Sequence, residues 1–304
     1  MRSWGVRVWT LIAGVALPLA ACVPQSGPEL VSSTPHYVVG QPYQLGGMWR
    51  YPHETFDLKE TGLATTDTRT DGVTADGEAV DPTAMTAAHP TLQLPAIVRV
   101  TDLENGYQVL VRVNDRGPAD PGRAIALSPR AMTLLRAADP RAVRVRIEEM
   151  QAESLQLASL LGGAEAPHLA LAVVPVGDVA AQPLPPPPGT RLAPPRPVAA
   201  APVRPAEVTV PPPPPLRLPE TVTRVAPRAG SLYIEIASFG HAADAVMLQQ
   251  RLAALGARVE LDNTAPSESA YRVRIGPLAG PAAADAALAR VIAARLGDPH
   301  IVAD

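Results

Sequence analysis

Half of the chain's 36 prolines, 18 of them, fall between Pro175 and Pro227, in a stretch without a single Phe, Tyr or Trp. Proline has no backbone N–H and a fixed φ, so the unbroken runs Pro185 to Pro188 and Pro211 to Pro215 can join neither a helix interior nor a central strand. With no aromatic ring to bury, the stretch is expected to be a semi-extended polyproline II linker, able to span on the order of 150 Å at ~3.1 Å per residue. Cores can form only before and after it, which predicts two separated folded parts.

The first residues carry Arg2 and Arg7, then an apolar run from Val8 through Leu19, then Leu19-Ala20-Ala21-Cys22. A basic start, an apolar core of about a dozen residues and small residues before a cut mark residues 1–21 as a secretory signal, too short to stay as a membrane span. Leu-Ala-Ala-Cys resembles the bacterial lipobox, which makes Cys22 the lipidated first residue of the mature chain and the membrane its partner through that lipid. Val23, where an aspartate would signal inner-membrane retention, points to the periplasmic face of the outer membrane. Residues 22–60 are then a tether and lead-in. Cys22 is the only cysteine, so no disulfide is available and the exported part must fold on its apolar core. The six histidines show no zinc-binding spacing, and no metal or other cofactor is expected. A net charge of -3 and a pI near 6.1 argue against a nucleic-acid partner.

Residues 61–150 read as a small all-β unit with one short helix. Ile97 to Thr101 and Val109 to Val113 flank Asn105-Gly106, the dipeptide best suited to a two-residue type I′ hairpin turn. Asp102 and Glu104 beside it read as solvated turn residues. Val143 to Ile147 is a further strand, and Ser128-Pro129 offers an N-cap and first-turn proline for a helix through Leu135. Several short strands with one helix suggest a small barrel. A helical exit and the linker occupy residues 151–229.

Residues 230–304 repeat a pattern. Leu232 to Ile236 alternates as a strand, and Ala245, Leu248, Leu252 and Leu255 share a helix face that Gly256 ends. Tyr271 to Ile275 is a second strand, and Gly280-Pro281 opens a helix with Leu288, Val291, Ile292 and Leu296. Short strands at Ala257 to Leu261 and Pro299 to Ala303 complete βαββαβ, an α+β ferredoxin-like order. Its four-stranded antiparallel sheet has both helices on one face and an open binding face on the other.

Three segments of the first unit gather acid–base chemistry: Asp76-Gly77-Glu78, Thr86-Ala87-Ala88-His89-Pro90, and Val111 through Pro118 with Asp115 and Arg116. Asp71 and Asp76, each before a glycine, read as turn residues.

In their order and spacing these segments resemble the rare lipoprotein A (RlpA) family of septal lytic transglycosylases, from Gly40-Gln41-Pro42-Tyr43 to about Met150. The resemblance implies a double-psi β-barrel and an endolytic enzyme that cleaves between N-acetylmuramic acid and N-acetylglucosamine during daughter-cell separation. The C-terminal module likewise resembles the SPOR domain, which implies that it binds glycan strands stripped of stem peptides, with division-site proteins as further partners. Carried over by position, Glu78 and Asp115 match the family's acidic active-site residues and His89 the third member. The reaction uses no water, because the muramyl 6-hydroxyl closes onto its own anomeric carbon. One carboxyl group must protonate the leaving oxygen while a base takes the hydroxyl proton, and Glu78 and Asp115 both stay open for the acid. His89 either orients a carboxylate or sugar, or holds a loop. Arg116 is expected to fix Asp115, which would favour Glu78 as the acid. In the SPOR module Tyr233, Glu235, Ser238, Arg272 and Arg274 are the candidate sugar contacts, with Glu235 where the family commonly has glutamine.

Two positions depart from the family. Gly62-Leu63-Ala64-Thr65-Thr66-Asp67 lacks the Trp-Tyr pair expected to stack on sugars, and Ala126 stands where an aspartate is expected. Two readings follow: a septal lytic transglycosylase, or a catalytically degenerate, glycan-binding division or envelope lipoprotein.

Overall fold

The computed structural model of the chain describes residues 34–162, 216–262 and 270–304. The signal segment, Cys22 and the extended form of the linker lie outside these residues. A small hairpin, β1 (Tyr43–Leu45) and β2 (Met48–Arg50), precedes the barrel, turning at Gly46-Gly47, both at positive φ.

The barrel strands are β3 (Lys59–Thr66), β4 (Thr86–Ala88), β5 (Ala96–Asp102), β6 (Tyr107–Asp115), β7 (Ile125–Leu127) and β8 (Val143–Glu149). Their order is β4-β7-β3-β8-β5-β6, and pairing of β4 with β6 closes the ring. Two of the pairings, β3 with β7 and β4 with β6, are parallel, while β3–β8 and β5–β6 are antiparallel. Each half of the barrel thus repeats the same mixed arrangement, as the double-psi fold requires. Alternation along the strands turns Ala64, Val98, Val100, Val111, Val113, Val145 and Ile147 inward, where side chains fill so small a barrel completely. Helix α1 (Pro129–Leu135) starts as its sequence indicates: the Ser128 hydroxyl accepts the Ala131 N–H and proline takes the first turn.

The β5–β6 turn differs from the two-residue I′ geometry. The connection has four residues, Leu103 to Gly106, and of Asn105 and Gly106 only the glycine has positive φ. Asp102 explains this. Its Oδ1 accepts the Glu104 and Asn105 N–H groups, while Asn105 Nδ2 donates to Asp102 Oδ2 and to the Leu135 carbonyl at the end of α1. Asp102 is therefore buried, not a solvated turn residue.

The SPOR-like half comprises β10 (Leu232–Phe239), α3 (Ala242–Arg251), β11 (Arg258–Leu261), β12 (Tyr271–Leu278), α4 (Pro281–Ala294) and β13 (His300–Ala303). The sheet order is β11-β12-β10-β13, all antiparallel. Leu232, Ile234 and Ile236 alternate toward the helices, whose Ala245, Ala284, Leu288 and Val291 they meet.

Before the linker, α2 (Gln151–Leu160) buries Leu157 in the barrel core, and Ser154 Oγ accepts the Ile97 N–H. After it, Leu218 enters that same core, and β9 (Val222–Arg224) adds to β6 as a seventh strand. Both ends of the proline-rich stretch are thus fastened to the barrel. Only residues 225–231 join β9 to β10, so the linker does not separate the two halves.

The halves also share a packed interface. Leu63 and Leu103 point out of the barrel, yet both are buried, clustered with Ile234, Ile301 and Ala303. Gly62 permits this approach, since a Cβ there would lie 3.1 Å from the Ile301 carbonyl oxygen and 2.9 Å from Ala124 Cβ. Arg123 donates from both terminal nitrogens to Asp285, at 2.7 and 3.1 Å, and the Ala303 N–H reaches Thr61 Oγ1 at 3.2 Å. The sheet face opposite the helices is accordingly not fully open, because barrel residues border part of it.

Candidate active site

Strand β6 carries an arginine in an otherwise apolar run, and burial obliges that charge to find a carboxylate. Arg112 meets it in Glu78, clasping both oxygens, with Nη2 2.7 Å from Oε2, while Asn114 Nδ2 donates to Oε2 at 2.8 Å. The loop that delivers Glu78 is knotted by Thr74. Its hydroxyl donates to Asp76 Oδ1 at 2.6 Å and accepts the Glu78 N–H at 2.9 Å, while Gly77 turns at φ +93°. Glu78, Arg112 and Asn114 line a groove with Asp81, Thr86 and, from the segment after the linker, Arg217.

Asp76 is not the solvated turn residue its sequence context suggests. Its side chain is completely buried, its Oδ2 has no hydrogen-bond partner, and Arg112 Nη1 stands 3.7 Å away. Burial, reinforced by the charge of Glu78, pushes its carboxyl up to about 6 against the opposing Thr74 hydrogen bond and Arg112 charge.

Asp115, one residue beyond Asn114, faces different partners. Its Oδ1 accepts the Ala75 and Arg116 N–H groups at 2.9 and 2.7 Å, and Arg69 pairs with Oδ2. The first contact ties the Glu78 loop to the end of β6. The side chain of Arg116 does not pair with Asp115 as expected; it runs to the carbonyls of Leu92 and Val39, fastening the lead-in to the loop after β4. Arg69 takes that place and also reaches Asp67, at 3.5 Å. Asp67 and Arg69 line a second cleft with Thr65, Thr66, Ala88, Gly117 and Ala126. Ala126 thus leaves no carboxylate at its own position, and the acids lining that cleft are Asp67, just after β3, and Asp120.

His89 belongs to the same strand ends, since its N–H donates to the Asp115 carbonyl at 3.0 Å. Its ring points elsewhere. Nδ1 accepts the Thr91 and Leu92 N–H groups, which leaves Nε2 as donor to Glu60 at 2.9 Å. With 1% exposure it both fastens the loop after β4 and meets a carboxylate, that of Glu60, so its contacts include each of the roles open to it.

The backbone therefore brings Glu78, Asp115 and His89 to one end of the barrel, but their side chains meet three different partners, Arg112, Arg69 and Glu60. Sequence reasoning missed Asp76, Arg69, Arg112 and Asn114. The one signal that pointed to them was Arg112, a charge inside an apolar strand.

On the SPOR side, Glu235 accepts from Arg274 at 2.8 Å and from Ser238 at 3.1 Å, with Arg272 3.9 Å away. The Arg274 guanidinium lies 5.8 Å from the Tyr233 ring centre. The five candidate sugar contacts thus form one connected group.

Comparison with known proteins agrees with these two halves. Residues 60–147 match the double-psi β-barrel family described as lytic transglycolase, and residues 229–303 match the SPOR domain. Three relatives bear the name endolytic peptidoglycan transglycosylase RlpA. That of Yersinia pestis is 37% identical over 166 residues, covering 47% of this chain and 45% of the relative. That of Pseudomonas aeruginosa is 41% identical over 135 residues, 43% of this chain and 37% of the relative. That of Rickettsia felis is 38% identical over 124 residues, 39% and 54% respectively. The chain thus spans about half or less of the length of the relatives it matches.

Proposed function

We propose, for a chain that pairs an RlpA-type double-psi β-barrel with a SPOR domain, that it is an endolytic lytic transglycosylase acting on peptidoglycan strands freed of stem peptides. The reading extends to a lipid anchor at Cys22, residence at the periplasmic face of the outer membrane, and action at the division septum in daughter-cell separation. The observation that carries it is the Thr74–Glu78 loop laid across the end of β6, which presents Glu78 to an open groove while Asp115 secures the loop from behind.

The reaction needs a proton for the leaving oxygen and a base for the muramyl 6-hydroxyl, with no water consumed. Glu78 is the carboxylate at the sugar. Both its oxygens are engaged by Arg112 and Asn114, so the sugar must displace one of these donors before Glu78 can relay the proton of the muramyl 6-hydroxyl to the leaving glycosidic oxygen. Asp115, only 5% exposed, acts as a positioning residue through the Ala75 N–H.

A second reading, a glycan-binding lipoprotein without turnover, is favoured by Ala126 in the second cleft and by the complete pairing of Glu78. One assay separates the two. The chain from Val23 onward is incubated with denuded glycan, and anhydromuramyl ends are sought by mass spectrometry. The enzyme gives such ends, and Glu78→Gln abolishes them. Absence of product from a chain that still binds the strands leaves the second reading.

A further inference from the structure

A groove of about 360 Å³ runs between the two halves, away from the Glu78 loop. One wall is barrel: Lys59 of β3 with Arg146 and Glu148 of β8, where Lys59 stands opposite Glu148 and Thr61 opposite Arg146. The other wall is SPOR: Glu235, Arg272, Arg274 and His300. This volume falls in the range of small-molecule sites, and the packed Leu63–Ile301 interface holds the walls together.

The charges on the two walls differ in kind. Arg274 is already neutralised by Glu235, Asp304 and Glu260, and Arg272 by Asp262. Among the described residues Lys59, Arg146 and Glu148 of the barrel wall make no ion pair and no side-chain hydrogen bond. Two unpaired cations against the one unpaired carboxylate of Glu148 leave a net positive charge on the barrel wall, while the SPOR wall presents a preformed hydrogen-bonding network. A ligand suited to both is a polyhydroxylated chain with carboxylates spaced along it. Removing the stem peptide from a muramyl residue uncovers such a group, the carboxylate of its lactyl ether. A strand still bearing peptide has an amide there, with no charge to offer.

We propose that this groove is a glycan subsite shared by the two domains, in which Lys59 and Arg146 bind the lactyl carboxylates of strands freed of stem peptide. The proposal rests on the glycan-binding reading above and gives two barrel residues a part in the preference for peptide-free strands. It also links the subsite to the barrel end, because Glu60 lines the groove and accepts the His89 hydrogen bond, and His89 is bound through its backbone to Asp115.

The test measures affinity of the chain from Val23 to Asp304 for amidase-treated strands, and for the same strands with their carboxyls converted to amides. The unaltered chain is expected to bind native strands at least tenfold more tightly than amidated ones. Lys59→Gln with Arg146→Gln is expected to lose that tenfold and to bind both strands alike, while Lys59→Arg with Arg146→Lys retains the preference. Lys59 is exposed, so Lys59→Gln alone leaves the fold unaltered and is expected to lose about threefold. Undiminished binding by the folded double glutamine variant, or no preference in the unaltered chain, overturns the shared subsite and leaves the glycan-binding reading standing. Failure of the unaltered chain to bind any strand overturns both.

Discussion

Arg112 clasps both carboxylate oxygens of Glu78 from within strand β6, with Nη2 2.7 Å from Oε2, and Arg112 is itself only 5% exposed. A planar guanidinium fits this fork and an ammonium does not. Arg112→Lys is therefore expected to keep the charge but lower kcat on denuded glycan by at least tenfold. Arg112→Met, which strands Glu78 and Asp76 without their cation, is expected to cost roughly 3–5 kcal/mol of stability. Denaturant melts and product analysis on the two variants check this. Equal activity of Arg112→Lys and the unaltered chain would show that the fork is not needed.

Two buried carboxyls predict how stability follows pH. Asp76 is raised by burial from 3.8 to about 6, and Glu149 by burial from 4.5 to about 7, its Oε2 unpartnered. Folded values above the unfolded ones mean that the folded chain holds protons the unfolded chain would release. Their stabilisation is fully present below about pH 4 and is lost as pH rises through 6 to 7, each carboxyl removing at most roughly 1.4 kcal/mol for every pH step of one. Glu149→Gln mimics the protonated form, and its amide can still accept from Gln93 Nε2. It is expected to flatten the fall in stability between pH 5 and 8, as read from urea midpoints at each pH.

His89 tests loop-holding against catalysis. His89→Ala removes the acceptor for the Thr91 and Leu92 N–H groups, of which Leu92 is buried, and should destabilise by roughly 1–3 kcal/mol. His89→Asn can supply an acceptor again, and partial recovery of both stability and turnover is expected. Full stability with abolished turnover in the asparagine variant would instead place the imidazole in the chemistry.

Leu63 joins the two halves. Leu63→Ala removes a fully buried side chain at the interface and is expected to cost about 2–5 kcal/mol. Gly62→Val, whose Cβ would press on the Ile301 carbonyl, is expected to split thermal unfolding into two transitions, one for each half. A single unshifted transition in both variants would mean that the interface carries no stability.

Strand periodicity made the barrel and the βαββαβ half legible, because alternation has one physical meaning when one face is buried. Local capping was equally readable at Ser128. What the sequence did not disclose was pairing across distance. The Asn105-Gly106 turn failed because the acceptor that reshapes it, the Asp102 carboxylate, is buried by the end of α1. Arg116 is the chain neighbour of Asp115, whereas Arg69 comes within reach only once the barrel has closed, and no local rule says which guanidinium wins. The burial of Asp76 has the same origin. A carboxylate's surroundings are set by elements far along the chain, here Thr34 and His36, which crowd Gly77.

Since α2 and Leu218 are both lodged in one core, the proline-rich stretch is topologically an excursion that leaves one body and returns to it. The pieces on either side of it behave as halves of a split protein. Cleavage anywhere within residues 163–215 leaves residues 216–304 held by β9, Leu218 and the Leu63 interface. The SPOR half then stays beside the barrel at an effective concentration that the length of the excursion does not set. Lengthening or shortening the prolines is expected to leave the distance between barrel and SPOR sheet fixed.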